Sequence, residues 1–358
     1  MTYYFIKEKK ELIKKITGIL LIFVVLFSAT SCAGGSQKTV VQFLNWGDYI
    51  DSSVIEEFQN ENPDIQINMT TVPSNEEMYI VATTKGSDVD VIVPSEYMVE
   101  RLAAEDRLAA IDTAKMENYK YVEDFMNKYL FDGSKEYTVP YAWGTFGILY
   151  NSKMVSGPVD SWGALWDEQY KGKILMYDSI RDTMGVALKY LGYSMNSRDE
   201  SQLGEAADLL IQQKPLVLAY GTDDIRMSMI NNSAALATVY AGDAIYCMAD
   251  NPDLKYVLPK EGANIFVDNL CIMKDTDVYD AALKFIDFLC KPEIAAKNSA
   301  YTGYSTPEKD ALPFMDGSLT ENNAYNPSDE ELSNVEFYQY LGEDLHLYED
   351  AWMKVKSN

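Results

Sequence analysis

An aromatic ring beside a carboxylate, at or just past the end of an apolar run, recurs along this chain. Trp46, Asp48 and Tyr49 form one instance, and Ser95 and Tyr97 follow Pro94 in a similar place. Tyr177 to Asp182, Tyr240 with Asp243, Phe266 with Asp268, and Tyr304 continue the series. A ring face attracts an organic cation, and a carboxylate pairs with it. Together such groups suit a flexible amine chain, with rings over the methylenes and acids on the ammonium groups. Each instance alone is accounted for as well by packing. On Leu44 to Ile50 taken alone, Trp46 and Tyr49 stacking on the core is the simpler account, and only the recurrence favours a ligand. A buried carboxylate without a partner is costly, so a cationic ligand would complete these pairs. Asp268 is the sharpest case, because Ile265, Phe266 and Leu270 around it are apolar. Its nearest lysines in sequence are Lys260 and Lys274, so a structural ion pair stays open beside the ligand reading.

Other chemistry finds little footing. The one histidine, His346, stands among acidic residues near the C-terminus. No nucleophile elbow, phosphate loop or dinucleotide fingerprint is present. Cys247, Cys271 and Cys290 sit in the apolar settings IYCMA, NLCIM and DFLCK, at spacings that match no metal motif. They read as small buried hydrophobes with no histidine nearby to activate them. No catalysis, cofactor or metal is expected.

These residues must be positioned by a chain of 358 residues, long enough for two domains, and 47% apolar, enough for full cores. Net charge is −25, and −28 without the first 31 residues, a surface that repels nucleic acid and concentrates cations. Short apolar runs alternate with helical segments, which implies βαβ units around a parallel sheet. Strands are predicted at 40–44, 65–72, 88–94, 137–143, 147–150, 172–177, 216–220, 235–240, 255–258 and 265–273. Asp51-Ser52-Ser53 can cap a helix from Val54 to Asn60, and Ser74-Asn75-Glu76-Glu77 starts one to about Thr84. Further helices are predicted at 96–105, 162–170, 184–191, 200–213, 225–230, 243–249 and 279–289, and a long one at 335–355. Gly144 and Gly147 mark a turn or a close backbone approach.

Residues 1–31 read as a targeting segment. Five lysines precede the apolar run Ile16–Phe27, which is too short to span a bilayer comfortably. Ser28-Ala29-Thr30-Ser31 before Cys32 resembles a bacterial lipobox, so lipidation of Cys32 is expected, with residues 32–39 as a tether. An ordinary signal peptide cut near Ser31 is the alternative.

Seven motifs are similar, in order and spacing, to those of the spermidine/putrescine-binding proteins of polyamine ABC transporters. They are NWGDYI at 45–50, PSEYMVE from Pro94, PYAWGTFGILYN from Pro140, YDSIRD at 177–182, YAGDA at 240–244, IFVDNL at 265–270 and GYSTP at 303–307. The resemblance covers essentially the chain from Val40 onward. It implies an α/β, type II periplasmic-binding-protein-like fold: two α/β lobes, a ligand cleft and a hinge. Residues 40–145 and 268–312 would form lobe 1, and residues 146–267 and 313–358 lobe 2. Crossings are expected near Trp143–Gly147, Asp268–Met273 and after Pro307. The resemblance also implies a polyamine ligand met by Trp46, Asp48, Tyr49, Ser95, Tyr97, Ser179, Asp182, Tyr240, Asp243, Phe266, Asp268, Tyr304 and Tyr338. Tyr240 and Phe266 each stand where relatives carry a Trp, and Ser179 where some carry an acid. It implies an extracytoplasmic, lipid-anchored monomer that delivers its ligand to a permease. Two other readings stay open: a receptor for another cation such as ferric ion, and a surface enzyme on the same fold.

Overall fold

Several helices begin where the sequence supplies a capping acceptor. In the computed structural model, which describes residues 38–122, 136–308 and 310–358, the Asp51 carboxylate accepts from the Ser53 N–H at 2.8 Å, and the Ser74 hydroxyl accepts from the Glu77 N–H at 3.1 Å. The targeting segment, Cys32 and most of the tether lie outside the described residues.

In chain order the elements are β1 (Thr39–Trp46), α1 (Ser52–Glu61), β2 (Ile65–Val72), α2 (Asn75–Thr83), β3 (Val91–Ile92), α3 (Glu96–Ala104) and β4 (Val139–Asn151). Then come β5 (Ile174–Tyr177), α4 (Ile180–Tyr190), α5 (Glu200–Gln213), β6 (Val217–Gly221), α6 (Asp224–Ile230), β7 (Leu236–Tyr240), α7 (Ala241–Asp250) and β8 (Leu254–Val257). The chain closes with β9 (Ile265–Ile272), α8 (Tyr279–Leu289), α9 (Pro292–Thr302), α10 (Gly317–Thr320) and α11 (Leu345–Ser357). Strand order is β2-β1-β3-β9-β4-β7-β5-β6, with β8 also on β4. Pairs β1/β3, β5/β6 and β5/β7 are parallel, while β4 and β9 run antiparallel to their neighbours.

Two long strands hold the two lobes together. The first part of β4, Val139–Thr145, pairs with β9, and its second part, Phe146–Asn151, pairs with β7 and β8. The far end of β9 pairs with β3. On one side the core is a set of edge-to-face rings, Phe43 with Phe285 at 5.2 Å and Phe58 with Phe285 at 5.0 Å, beneath α1 and α8. On the other side Trp162 stacks on Phe146, and Met184, Leu188, Leu203 and Leu210 of α4 and α5 bury Tyr348, Trp352 and Val355 of α11. Each such side chain contributes about 1.5–3 kcal/mol on burial.

Three sequence expectations are corrected. Residues 137–150 do not make two strands but one, β4, because Gly144 and Gly147 admit close neighbours without breaking it. The closing helix begins at Leu345, not Val335. Glu336 instead pairs with the chain beside β9: its N–H reaches the Ala263 carbonyl at 2.9 Å, and its carbonyl takes the Ile265 N–H at 3.0 Å. That pairing outweighs helical propensity, and Gly342, at φ 57°, then turns the chain. The strand expected over 88–94 shrinks to β3, although the Asp90 backbone still bonds Gln42 on one side and Met273 on the other. Helix α9 was not foreseen; Gly303, at φ 77°, ends it.

A β-carbon on Gly147 would lie 2.6 Å from the Val257 carbonyl oxygen and 2.7 Å from the Tyr256 ring. Gly147→Ala is therefore expected to cost about 1–3 kcal/mol through overpacking. Chemical denaturation checks this, and an unchanged midpoint would mean that β8 yields freely.

Candidate functional site

The site is built on β9 and the strand ends around it. Asp268 lies within β9, which is buried along its whole length, and is itself only 5% exposed. Its partners are hydroxyls: Tyr49 donates to Oδ2 at 2.5 Å and Ser95 to Oδ1 at 2.6 Å. Both donors are held in turn. Asn75 takes the Ser95 N–H and gives its own amide to Ser95 Oγ, each at 3.0 Å. Tyr49 is held by Tyr141, whose hydroxyl donates to the Tyr49 carbonyl at 2.7 Å. Tyr141 reaches it because β4 bulges there: Pro140 faces Asn269 and Ala142 faces Asp268, leaving Tyr141 as the extra residue.

The lysines nearest in sequence go elsewhere, Lys274 to Asp106 and Lys260 to Asp160. Among the described residues Asp268 has no ion-pair partner, so hydrogen bonds serve it and no opposite charge does. Burial pushes its carboxyl up to about 6, against the pull of Ser95 and Tyr49.

A second buried acid, Asp182, is 3% exposed in the first turn of α4, which Ser179 caps. It accepts from the Tyr240 hydroxyl at 3.0 Å and the Tyr338 hydroxyl at 3.2 Å. Burial raises its pKa, which the surrounding hydroxyls and Arg181 offset in part. Arg181 is its neighbour in sequence, yet its guanidinium donates to the Gln339 carbonyl and to Asn196 and stacks over Tyr338 at 4.4 Å. The Tyr338 ring in turn meets Tyr97 edge-on at 6.4 Å.

A continuous ladder of rings joins the two acids. From Tyr49 at Asp268 it runs to Tyr304 at 5.4 Å, to Phe266 at 5.7 Å and to Tyr240 at 5.3 Å, where Asp182 waits. Gly242 and Gly144 make room for it: a β-carbon on Gly242 would lie 2.6 Å from the Tyr304 ring, and one on Gly144 3.1 Å from Phe266. Burial and the adjacent carboxylates push the Tyr49 and Tyr240 phenols well up, so both stay neutral donors.

The remaining expected residues sit at the edges. The Trp46 indole N–H donates to the Val93 carbonyl at 2.8 Å, so its ring is tied to the end of β3. Asp48 is exposed at φ 51°, a left-handed conformation that Asp tolerates. Asp243 pairs with Arg226 at 3.6 Å, and burial pushes its carboxyl up to about 6 despite that cation. Cys247, Cys271 and Cys290 are buried free thiols, with pKa values raised by burial.

Sequence reasoning missed Asn75, Tyr141, Arg226 and Glu96. Glu96 stood between Ser95 and Tyr97 in a motif already singled out. Its Oε2 accepts the Val267 N–H at 3.0 Å, while Oε1 is buried with no hydrogen-bond partner. Burial, helped by Asp268, pushes its carboxyl up to about 8.

Two buried acids joined by a ring ladder, on a sheet threaded by two long antiparallel strands, fit a type II periplasmic-binding-protein fold, the fold of the solved structures similar to this chain. The chain belongs to the family of bacterial extracellular solute-binding proteins, whose family model matches residues 53–326. It is 30% identical over 346 residues, 96% of this chain and 99% of the relative, to the spermidine/putrescine-binding periplasmic protein of Salmonella typhimurium. Among solved structures it is similar to the spermidine/putrescine ABC transporter substrate-binding protein PotD from Streptococcus pneumoniae. That likeness has 35% identity and a TM-score of 0.79, covering 89% of this chain and 99% of the other. The TpPotD lipoprotein of Treponema pallidum is similar at 25% identity and a TM-score of 0.82, covering 89% and 100%.

The raised carboxyls fix a sign for pH dependence. Unfolded, Glu96 loses its proton near its ordinary 4.5; folded, it keeps it to about 8. Between these values the unfolded state binds fewer protons, so stability falls as pH rises. Asp243 and Asp268, at about 6, contribute the same sign lower in the range. The ligand-free protein should lose stability from pH 5 to 8 in denaturant titrations, and Glu96→Gln should flatten the fall above pH 6. A fall of equal steepness in Glu96→Gln would remove Glu96 as its source.

Proposed function

We propose that this chain is an extracytoplasmic receptor that captures a polyamine, putrescine or spermidine, and hands it to an ABC transporter permease. The observation that carries this reading is the pair Asp268 and Asp182: two buried carboxylates, served only by hydroxyl groups, at the two ends of one ladder of rings. An α,ω-diamine matches that layout, with ammonium groups at the ends and methylenes against rings. Each ammonium supplies the charge its acid lacks and removes the cost of burying it alone. Tyr304, Phe266 and Tyr240 cover the aliphatic part, and Trp46 closes one side. Ser95, Tyr97, Ser179 and Tyr338 orient the acids and rings. The names of the relatives in Salmonella typhimurium and Streptococcus pneumoniae support the same ligand class and transporter setting.

Capture, not turnover, is the proposed activity. The buried thiols are held protonated and His346 is exposed, so neither supplies a nucleophile or base at the ladder. A ferric-ion reading is less favoured, because Tyr49 and Tyr240 are kept as neutral phenols bonded to acids.

Residues 40–145 and 268–312 are proposed as one lobe and 146–267 and 313–358 as the other, closing about β4 and β9 as a monomer. A ligand touching both lobes favours the closed arrangement by its differential affinity. Cys32 is proposed as a lipidated N-terminus that tethers the protein to the outer face of a membrane. The lipoprotein from Treponema pallidum supports that anchor, and among the described residues no helix is long and apolar enough to cross a membrane.

Two outcomes test these readings. Asp268→Asn keeps the shape and removes the charge. Breaking a desolvated charge pair typically costs about 2–5 kcal/mol, so calorimetry should show well over tenfold weaker polyamine binding. The ligand-free melting temperature should stay level or rise, because a burial cost is relieved. Affinity within two- or threefold of the parent would sink the assignment. Separately, Cys32→Ser should move the protein from the membrane to the soluble fraction of its host, and unchanged fractionation would refute the anchor.

A further inference from the structure

Beside the ring ladder stands a cation that belongs to the protein. Arg226, on α6, has its side chain 25% exposed and pairs at 3.6 Å with Asp243, itself 17% exposed, on the first turn of α7. Asp243 follows Gly242, whose Cα side presses on the Tyr304 ring in the middle of the ladder. The ion pair therefore flanks the path between Asp268 and Asp182. The guanidinium is held there from several directions. Its carbon lies 5.5 Å from the centroid of the Tyr246 ring, on the same helix as Asp243. Its burial would lower its pKa, but the charges of Asp243, Asp223 and Asp48 outweigh that and raise it. Asp223 immediately precedes α6, and Asp48 comes from the loop after β1, so acids from both lobes converge on it. The backbone is fixed as well, since the Cys247 thiol donates to the Arg226 carbonyl.

Three acids thus meet the region of the ladder, and they differ in one respect. Asp268 and Asp182 have hydroxyl partners and no ion pair among the described residues. Asp243 already has its cation. A guanidinium at a buried acid does what a ligand ammonium would do there, and displacing it would orphan a partly buried charge. Resting on the polyamine reading above, we propose that Arg226 is a specificity-determining residue. It occupies as a resident cation the place beside Asp243 that a third ammonium group would need, so the cleft selects ligands with two ammonium groups over those with three.

The test is calorimetric binding of putrescine and spermidine to the full mature chain and to Arg226→Met and Arg226→Lys, each checked for folding by its ligand-free melting temperature. The parent should prefer the diamine. Arg226→Met removes the charge but keeps much of the apolar stem, and should shift the affinity ratio toward spermidine by at least tenfold. Arg226→Lys keeps the charge and should hold the ratio near that of the parent. Should Arg226→Met not fold, Arg226→Gln takes its place with the same expectation. If both amines bind but the ratio moves less than threefold on loss of the charge, or moves equally in Arg226→Lys, the inference is overturned while the polyamine reading stands. If neither amine binds the parent, the polyamine reading fails and the inference fails with it.

Discussion

The constraint on which this cleft depends is the burial of a carboxylate without a cation. Asp268 receives two short hydrogen bonds, yet its carboxyl is still pushed up to about 6. Hydroxyls satisfy the lone pairs of an anion but do not neutralise it, so much of the desolvation cost persists. Much of the local architecture serves that one group. The bulge at Tyr141 holds Tyr49, Asn75 holds Ser95, and Ser95 itself bridges to Asp268 across the sheet. A fold that buries a charge without balancing it gives up stability at that point. That cost is one that a cationic ligand would offset.

The same strands carry the framework and the site. β4 changes partners along its length, from β9 to β7 and β8, and β9 joins β4 to β3. Asp268 and Phe266 sit on β9 where these pairings meet. The middle of the ring ladder is thus anchored on the same strand that pairs with both β4 and β3. Glycine makes this possible at two points. Gly144 lets Phe266 lie against β4, and Gly242 lets Tyr304 lie against α7.

Local signals in the sequence were read well where a local cause decided them. The runs 51–53 and 74–77 do start helices, with Asp51 and Ser74 as the caps, and the helix at 279–289 starts and stops where its apolar stripe does. They failed where a distant partner decided. Residues 335–341 have a plausible helical pattern, but Glu336 finds backbone partners at Ala263 and Ile265, more than seventy residues away. Of the expected residues, Tyr49 and Ser95 bond Asp268 and Tyr240 and Tyr338 bond Asp182, while Trp46, Asp48 and Asp243 sit at the edges. Trp46 was harder to place, since its indole N–H is spent on the Val93 carbonyl. Glu96 and Arg226 were invisible for a different reason: nothing in a string of letters tells which acid will be buried or which cation will reach it.

The contrast between Asp182 and Asp243 shows why adjacency is a poor guide to pairing. Asp182 follows Arg181 directly, and composition alone would pair them. On a helix, neighbours in sequence point about 100° apart, so the two side chains diverge. Arg181 goes to the Gln339 carbonyl, Asn196 and the Tyr338 ring, so it acts on the acid only at a distance, and hydroxyl groups supply the hydrogen bonds. Asp243 lies seventeen positions from Arg226 and yet finds it, because α6 and α7 pack together. What distinguishes these acids is not their type, and not burial alone, since Asp243 is only somewhat more exposed than the other two. It is whether the fold delivers a cation to them, and in a strongly acidic chain the few cations delivered inward decide which acids are left without one.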